Sequence, residues 1–84
     1  MKFENEISTI KTSIELSNFI EKLCDDLKDN PNAWSNNTLE DFLEALAAWI
    51  TDMEGYYLNN NQEVPLQPTW KTIAEMLLAA KIYE

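Results

Sequence analysis

The stretch LEDFLEALAAWITDMEGYY, residues 39–57, decides the fold because its apolar residues recur at the spacing of one long amphipathic helix. Thr38 stands just before this stretch, and together with Asp41 it forms a capping box that begins the helix at Leu39. Most of the apolar residues lie within about 60° of one direction on a helical wheel. We expect this group to face the core, and its members are Leu39, Phe42, Leu43, Leu46, Ile50, Met53 and Tyr57.

The same helix carries more apolar surface than one packing contact needs. Trp49 and Tyr56 lie outside the core group, at about 80° and 100° from Leu39 on the wheel. Two explanations are open: the helix is central and touched by both other helices, or part of its surface binds a partner. Its outward face alternates acids with small residues, which suits a partner that carries a cation and apolar surface. These outward residues are Asp41, Glu44, Ala48, Asp52 and Gly55.

Two further helices are predicted on either side of this one. The segment before it, residues 16–27, repeats apolar residues at i, i+3, i+4 and i+7, and Pro31 ends that helix. A polar loop with two prolines leads to the last helix. Residues 1–14 alternate only weakly, which is typical of a flexible arm or of one short edge strand. We therefore predict one all-α domain over residues 1–84, a small three-helix bundle with helices at about 15–29, 39–58 and 69–82.

The charge of the chain is strongly one-sided. Fifteen acidic residues stand against six lysines, with no arginine and no histidine, and the formal net charge is −9. A field of this sign repels nucleic acid and anionic membrane surfaces, so neither is an expected partner. No basic residue occurs between Lys28 and Lys71, where seven acids do, and this segment is expected to attract a basic protein.

The sequence pattern also bears on the cellular compartment. The N-terminus has no apolar run long enough for a signal peptide, and no segment is long and apolar enough for a membrane span. Cys24 is the only cysteine, and we expect a small core residue rather than a nucleophile because no histidine is present to activate it. The reduced cytoplasm is the expected compartment.

The residue types present exclude most catalytic chemistry. With no histidine and one cysteine, neither a Ser-His-Asp nor a Cys-His arrangement can form, and the common zinc sites lose their ligands. Gly55 is the only glycine, so no glycine-rich phosphate loop is available. We expect no enzyme activity, no catalytic residue, no metal and no cofactor. One other interpretation stays open, a small enzyme or ligand carrier that uses Glu44 or Asp52 in a tryptophan-walled pocket.

The favoured interpretation is a non-enzymatic, acidic module that binds a basic protein partner. Aromatic residues supply contact energy at interfaces, and carboxylates steer the encounter. The candidate binding residues are Trp34, Glu44, Trp49, Asp52, Tyr56, Tyr57 and Trp70. The alternative is a structural helical domain that homodimerises through the apolar face of its central helix, so the chain is expected to be a monomer or a homodimer.

Four short motifs stand in the last part of the chain. They are W-x-N-x-T-L at residues 34–39, A-x-A-A-W at 45–49, D-M-x-G-Y-Y at 52–57 and P-x-W at 68–70. With these motifs, residues 31–84 resemble a family of small acidic bacterial proteins that is defined only as a domain of unknown function. The resemblance implies no activity, because none is established for that family. By analogy of size and charge alone, such proteins are similar to the immunity proteins that neutralise basic toxins.

Overall fold

A computed structural model describes residues 3–84 of the chain, and this part is built from helices and turns without a strand. The elements are α1 (Phe3–Ile7), α2 (Ser13–Asp29), a 3-10 turn (Pro31–Ala33), α3 (Leu39–Asn59) and α4 (Trp70–Ala80). The prediction of an all-α fold is confirmed, and the three longer helices fit a three-helix bundle. α1 adds a short fourth helix that the sequence pattern did not indicate.

Each of the three longer helices begins with a threonine cap. Thr12, Thr38 and Thr69 accept hydrogen bonds from the backbone amides three residues later, each at 3.1 Å. Such a bond satisfies one of the free amides of the first turn, so each cap fixes where its helix starts. α3 continues through Gly55 as predicted, and a β-carbon built at this glycine meets nothing within 4 Å.

The N-terminal segment packs into the core instead of forming an arm or an edge strand. Phe3, Ile7 and Ile10 are buried, and the ring of Phe3 meets that of Phe19 edge to face at 5.7 Å. Phe3 and Ile7 are four residues apart, so one helical turn places both on the same face. The prediction for residues 1–14 is therefore wrong over residues 3–14, and residues 1–2 lie outside the described part of the chain.

α4 is the central helix of the fold. It packs against α1, α2 and α3, whereas α2 and α3 lie on either side of it and make few contacts with each other within residues 3–84. Ala74 and Ala80 on α4 are fully buried, and such small side chains let neighbouring helices approach closely. Of the two explanations for the wide apolar surface of α3, the one that makes α3 the central helix does not hold, because α4 has that place and a space stays open between α2 and α3.

A charged pair closes one end of the core. Lys81 Nζ lies 3.1 Å from Asp26 Oδ2, and it lies over the rings of Phe3 and Trp34 at 5.5 and 5.4 Å from their centres. Trp34 Nε1 donates a hydrogen bond of 2.8 Å to the same carboxylate oxygen. This bond is the main cause that holds the pKa of Asp26 below its usual range, and Lys81 adds to it. The contacts fix Trp34 beside the start of α3.

Candidate functional site

α3 buries only part of the apolar face that its sequence pattern predicts: Tyr57 is buried, and Phe42, Leu46 and Met53 are half-buried. Ala45 and Trp49 are buried against the rest of the molecule. Leu39, Leu43 and Ile50, which were expected in the core, are 74%, 52% and 46% exposed. The physical reason is that α3 packs mainly on α4, so only one of its two apolar faces is covered. We call the three exposed residues Leu39, Leu43 and Ile50 the outer stripe.

A groove runs between α2 and α3 and adjoins the outer stripe. It encloses about 340 Å³, and Leu39 belongs to both the groove wall and the outer stripe. Its apolar lining residues are Ile20, Leu23, Cys24, Leu27, Trp34, Leu39, Phe42 and Leu77. Leu77 lies on α4, and the Trp34 ring is packed against that of Phe42 with centres 6.2 Å apart. The groove exists because both flanking helices rest on α4 rather than on each other.

Two side chains on the α2 wall of the groove are more open than expected. Cys24 is exposed, so the prediction of a core residue at this position is wrong. Ile20 is also exposed, although it belongs to the apolar pattern that predicted α2. Both lie on the side of α2 that faces α3, where a helix in direct contact would have covered them. The open groove therefore explains both exposures.

The charges around the outer stripe have one sign. α3 carries five acidic side chains, all of them exposed, and its sequence contains no lysine. They are Glu40, Asp41, Glu44, Asp52 and Glu54. Glu40 and Glu54 lie within about 100° of the outer stripe on the helical wheel, on its solvent side. Elsewhere, Lys22 pairs with Glu6 and Lys81 with Asp26, so these two cations are already engaged.

An aromatic cluster lies beside the outer stripe, on the neighbouring face of α3 and at its C-terminal end. It consists of Trp49, Tyr56, Tyr57 and Tyr83. The ring of Trp49 meets that of Tyr56 at 5.0 Å and that of Tyr83 at 5.4 Å, and the ring of Tyr57 lies 5.3 Å from Tyr56. Edge-to-face contacts of this kind stabilise the packing of α3 against the C-terminal segment. The Tyr83 hydroxyl also donates a hydrogen bond to Asp52.

A second cavity, of about 450 Å³, opens beside this aromatic cluster. Trp49 and Tyr56 line it together with Lys71 and Glu75 from α4. The Tyr57 hydroxyl donates a hydrogen bond of 2.5 Å to Glu75 Oε1. Burial, and next this bond to a carboxylate, raise the pKa of Tyr57.

The acids that the sequence suggested for a tryptophan-walled pocket lie elsewhere. Glu44 lines a separate cleft near Tyr83, and Asp52 bonds to the Tyr83 hydroxyl. Neither lines the cavity beside Trp49, where the charged residues are Lys71 and Glu75. The proposed ligand carrier that uses Glu44 or Asp52 therefore lacks its geometry.

The seven predicted site residues fall into two groups. Three are buried: Trp34, Trp49 and Tyr57. Four are exposed: Glu44, Asp52, Tyr56 and Trp70. The fold gathers Trp49, Tyr56 and Tyr57 in the aromatic cluster and links Asp52 to it through Tyr83. Trp34 lies in the groove, while Trp70 is at the start of α4.

The sequence did not predict the exposure of the outer stripe, because its residues belong to the apolar pattern expected in the core. Its signal was present in the sequence as a second apolar face on one helix. Periodicity identifies such faces but does not say which of them meets the rest of the chain. Tyr83 was missed as well, since nothing local indicates that it packs on Trp49.

The structure also bears on metal binding and on membrane insertion. Within the described residues 3–84, no group of three or more cysteine and acidic side chains is placed to hold a metal ion. In the same part of the chain, no helix combines the length and the apolar composition that a bilayer crossing needs.

The fold and the surface define a small, acidic, all-helical protein with an open apolar groove between two of its helices. The chain matches the model of a family of unknown function (DUF7660) over residues 12–84, and it belongs to that family. No curated protein and no solved structure shows a significant match to the chain.

Proposed function

We propose that this protein is a non-enzymatic binding module whose outer stripe and groove receive the apolar surface of a basic protein partner. The observation that supports it most is the exposure of Leu39, Leu43 and Ile50 beside an apolar groove, on a helix whose charges are all acidic. Scattered exposed apolar residues are ordinary, but a contiguous apolar patch with a polar rim is typical of an interaction site.

The aliphatic residues of the outer stripe and the acids of α3 have separate roles in this binding. Burying a large aliphatic side chain contributes about 1.5–3 kcal/mol when it goes from fully exposed to fully buried. Because Leu43 and Ile50 are already about half covered, each of them supplies only part of that gain, whereas Leu39 is largely exposed. The acids on α3 speed the encounter with a cation-rich surface, and this effect weakens as salt rises. We place this binding in a reducing compartment such as the cytoplasm, which suits the exposed free thiol of Cys24.

The second candidate function is homodimerisation through the same helix face. The exposed outer stripe favours it, since an isologous contact of two such faces covers both. The charge opposes it, because each copy carries a net charge of −9 and brings only acids along α3. Sedimentation equilibrium separates the two functions, since the binding module is expected to be a monomer and the structural domain a dimer.

The test uses capture with matched variants. Immobilised wild-type protein is exposed to host extract at low and at high salt, beside the double variant Leu43→Asn/Ile50→Asn. The control is Ile14→Asn/Leu58→Asn, which removes two aliphatic side chains that are more exposed but lie outside the outer stripe. A partner retained by the wild type and the control is then purified and titrated against all three proteins.

The proposal predicts a basic partner that is released by salt and that binds the double variant at least about tenfold more weakly, a loss of about 1.4 kcal/mol. It also predicts that the control variant binds like the wild type. Capture of acidic or neutral proteins only, or equal binding by the wild type and the double variant, would contradict it.

A further inference from the structure

We infer that the segment which the partner inserts is an amphipathic α-helix with a heptad apolar seam and lysine or arginine beside that seam. This inference rests on the proposed function and states which kind of surface the groove and outer stripe recognise. Three properties of α3 carry it: the spacing of its apolar residues, the face that its own chain leaves open, and the sign of the charges beside that face.

The spacing along α3 is that of a coiled-coil seam. Its residues Leu39, Leu43, Leu46, Ile50 and Met53 follow one another at intervals of four, three, four and three. Apolar residues at these alternating intervals keep one line of side chains facing a partner helix, which is the heptad pattern. From Leu39 to Met53 the seam extends over about 21 Å of helix, at 1.5 Å per residue.

The chain uses only the C-terminal end of this seam, at Tyr57, for its own core. α3 meets the rest of the molecule through Phe42, Ala45 and Trp49 on a neighbouring face, and through Tyr57 at the end of the seam. Along the heptad seam, Leu39, Leu43 and Ile50 are exposed, while Leu46 and Met53 are half-buried at its edge. α3 therefore carries two helix-packing faces, and α4 occupies one of them.

The geometry beside the seam suits a helix better than an extended peptide. The groove has α2 for one wall and the first turn of α3, with Leu39 and Phe42, for the other. Leu77 of α4 lies between them, so a helix added at this end of the seam would meet α2 and α3 together. Ile20 on the α2 wall is exposed and would be covered by it. An extended peptide usually pairs with a sheet edge, and no strand exists within residues 3–84 to offer one.

The charges beside the seam select a cationic helix over a second copy of this chain. Glu40 and Glu54 directly follow Leu39 and Met53, and these positions flank the seam where partner helices exchange salt bridges. Ala47, the third position on this flank, has no charge, and the other flank carries Phe42, Trp49 and Tyr56. Two antiparallel copies of α3 would bring these acids against each other, and two parallel copies would leave them without a cation, whereas lysine or arginine at the flanking positions of a partner would pair with them.

The experiment uses two designed peptides of about three heptads. The first has isoleucine and leucine at the seam positions and lysine at the flanking positions, and the second has the same composition with its apolar residues at alternate positions. Each is dye-labelled and titrated with the wild-type protein, with Leu43→Asn/Ile50→Asn and with Ile14→Asn/Leu58→Asn. Anisotropy gives the Kd, and circular dichroism reports whether the peptide gains helix on mixing.

The inference predicts that the heptad peptide gains helix and binds the wild type at least about tenfold more tightly than the alternating peptide. The double variant should lose most of this preference, while the control variant keeps it. No binding of the heptad peptide, equal binding of the two peptides, or equal loss in the control variant would overturn the inference. A wild-type dimer that Leu43→Asn/Ile50→Asn converts to monomer would overturn it too, because a second copy would then occupy the seam.

The capture and peptide experiments together show whether only this inference is wrong or the proposed function is wrong as well. If a basic protein is captured through the outer stripe but the heptad peptide binds no better than the alternating one, only the helical partner is wrong. If no basic protein depends on the outer stripe and neither peptide distinguishes the double variant from the control, both fail.

Discussion

The indole nitrogen of Trp34 donates a hydrogen bond to Asp26, and the two residues are joined at the same carboxylate oxygen that pairs with Lys81. Asp26 thus connects α2, the turn before α3 and the end of α4. We expect Asp26→Asn to lower the free energy of unfolding by about 1–3 kcal/mol, because a charged hydrogen bond becomes neutral and Lys81 loses its partner. Urea denaturation measures the change.

The neighbouring residue provides the control for this variant. Asp25 is exposed on the same helix, and Asp25→Asn should change the free energy of unfolding by no more than about 0.5 kcal/mol. Equal effects of the two substitutions would show that the loss of negative charge, rather than the contacts of Asp26, sets the stability.

The lowered pKa of Asp26 predicts a stability loss at acid pH. A carboxylate whose pKa is lower in the folded than in the unfolded state contributes stability above its unfolded pKa. This contribution is lost as the pH falls from about 4 through the lower folded value. The wild type should therefore lose stability more steeply below about pH 4 than Asp26→Asn, as followed by urea denaturation at each pH. Parallel curves for the two proteins would contradict the role given to Asp26.

The raised pKa of Tyr57 predicts a loss of stability at alkaline pH. A phenol whose pKa is higher in the folded state leaves stability unchanged below its unfolded pKa and lowers stability as the pH rises beyond it. The wild type should lose stability above about pH 10, and part of this slope should disappear in Tyr57→Phe. Denaturation curves between neutral and alkaline pH measure both proteins. A slope that is unchanged in Tyr57→Phe would show that Tyr57 ionises as freely as in the unfolded chain.

The two faces of α3 should respond differently to substitution. Trp49 is buried between Tyr56 and Tyr83, and Trp49→Ala should lower the free energy of unfolding by about 3–5 kcal/mol. Leu43→Asn/Ile50→Asn should cost about 1 kcal/mol or less, because both side chains are already half exposed. Thermal and urea unfolding provide the comparison. A large loss of stability in the double variant would place the outer stripe in the core after all.

Gly55 offers a simple gain in stability. It lies inside α3 with negative φ, and a β-carbon there meets nothing within 4 Å. Gly55→Ala should raise the free energy of unfolding by about 0.5–1 kcal/mol, since alanine loses less backbone freedom in a helix. A destabilised Gly55→Ala would mean that this small residue is needed for a close contact.

Local rules predicted most of the helical structure. Thr38 and Asp41 mark the start of α3 because the cap depends on residues three apart, and the position of Tyr57 shows that the helix passes Gly55. Pro31 ends α2 because it disfavours helix at the residue before it. The helix α1 escaped prediction because five residues give too short a pattern to distinguish from a weak alternation.

The sequence predicted that α3 has surplus apolar surface, but not which residues form it. The sequence indicated that α3 carries more apolar surface than one contact hides, and Leu39, Leu43 and Ile50 are exposed as that excess requires. It assigned the excess to Trp49, because nothing local reveals that Tyr83 and α4 cover this residue. Contacts between residues far apart in the sequence decide which of two apolar faces meets the core. The packing of α4 against both α2 and α3 is made of such contacts.

The most direct measurement is a methyl and amide chemical-shift map of the protein as the purified basic partner, or the heptad peptide, is added. We expect the largest shifts at Ile20, Leu39, Leu43 and Ile50, with small changes at Trp49 and Tyr56. Shifts concentrated at the aromatic cluster, with the outer stripe unchanged at saturation, would contradict a binding site between α2 and α3.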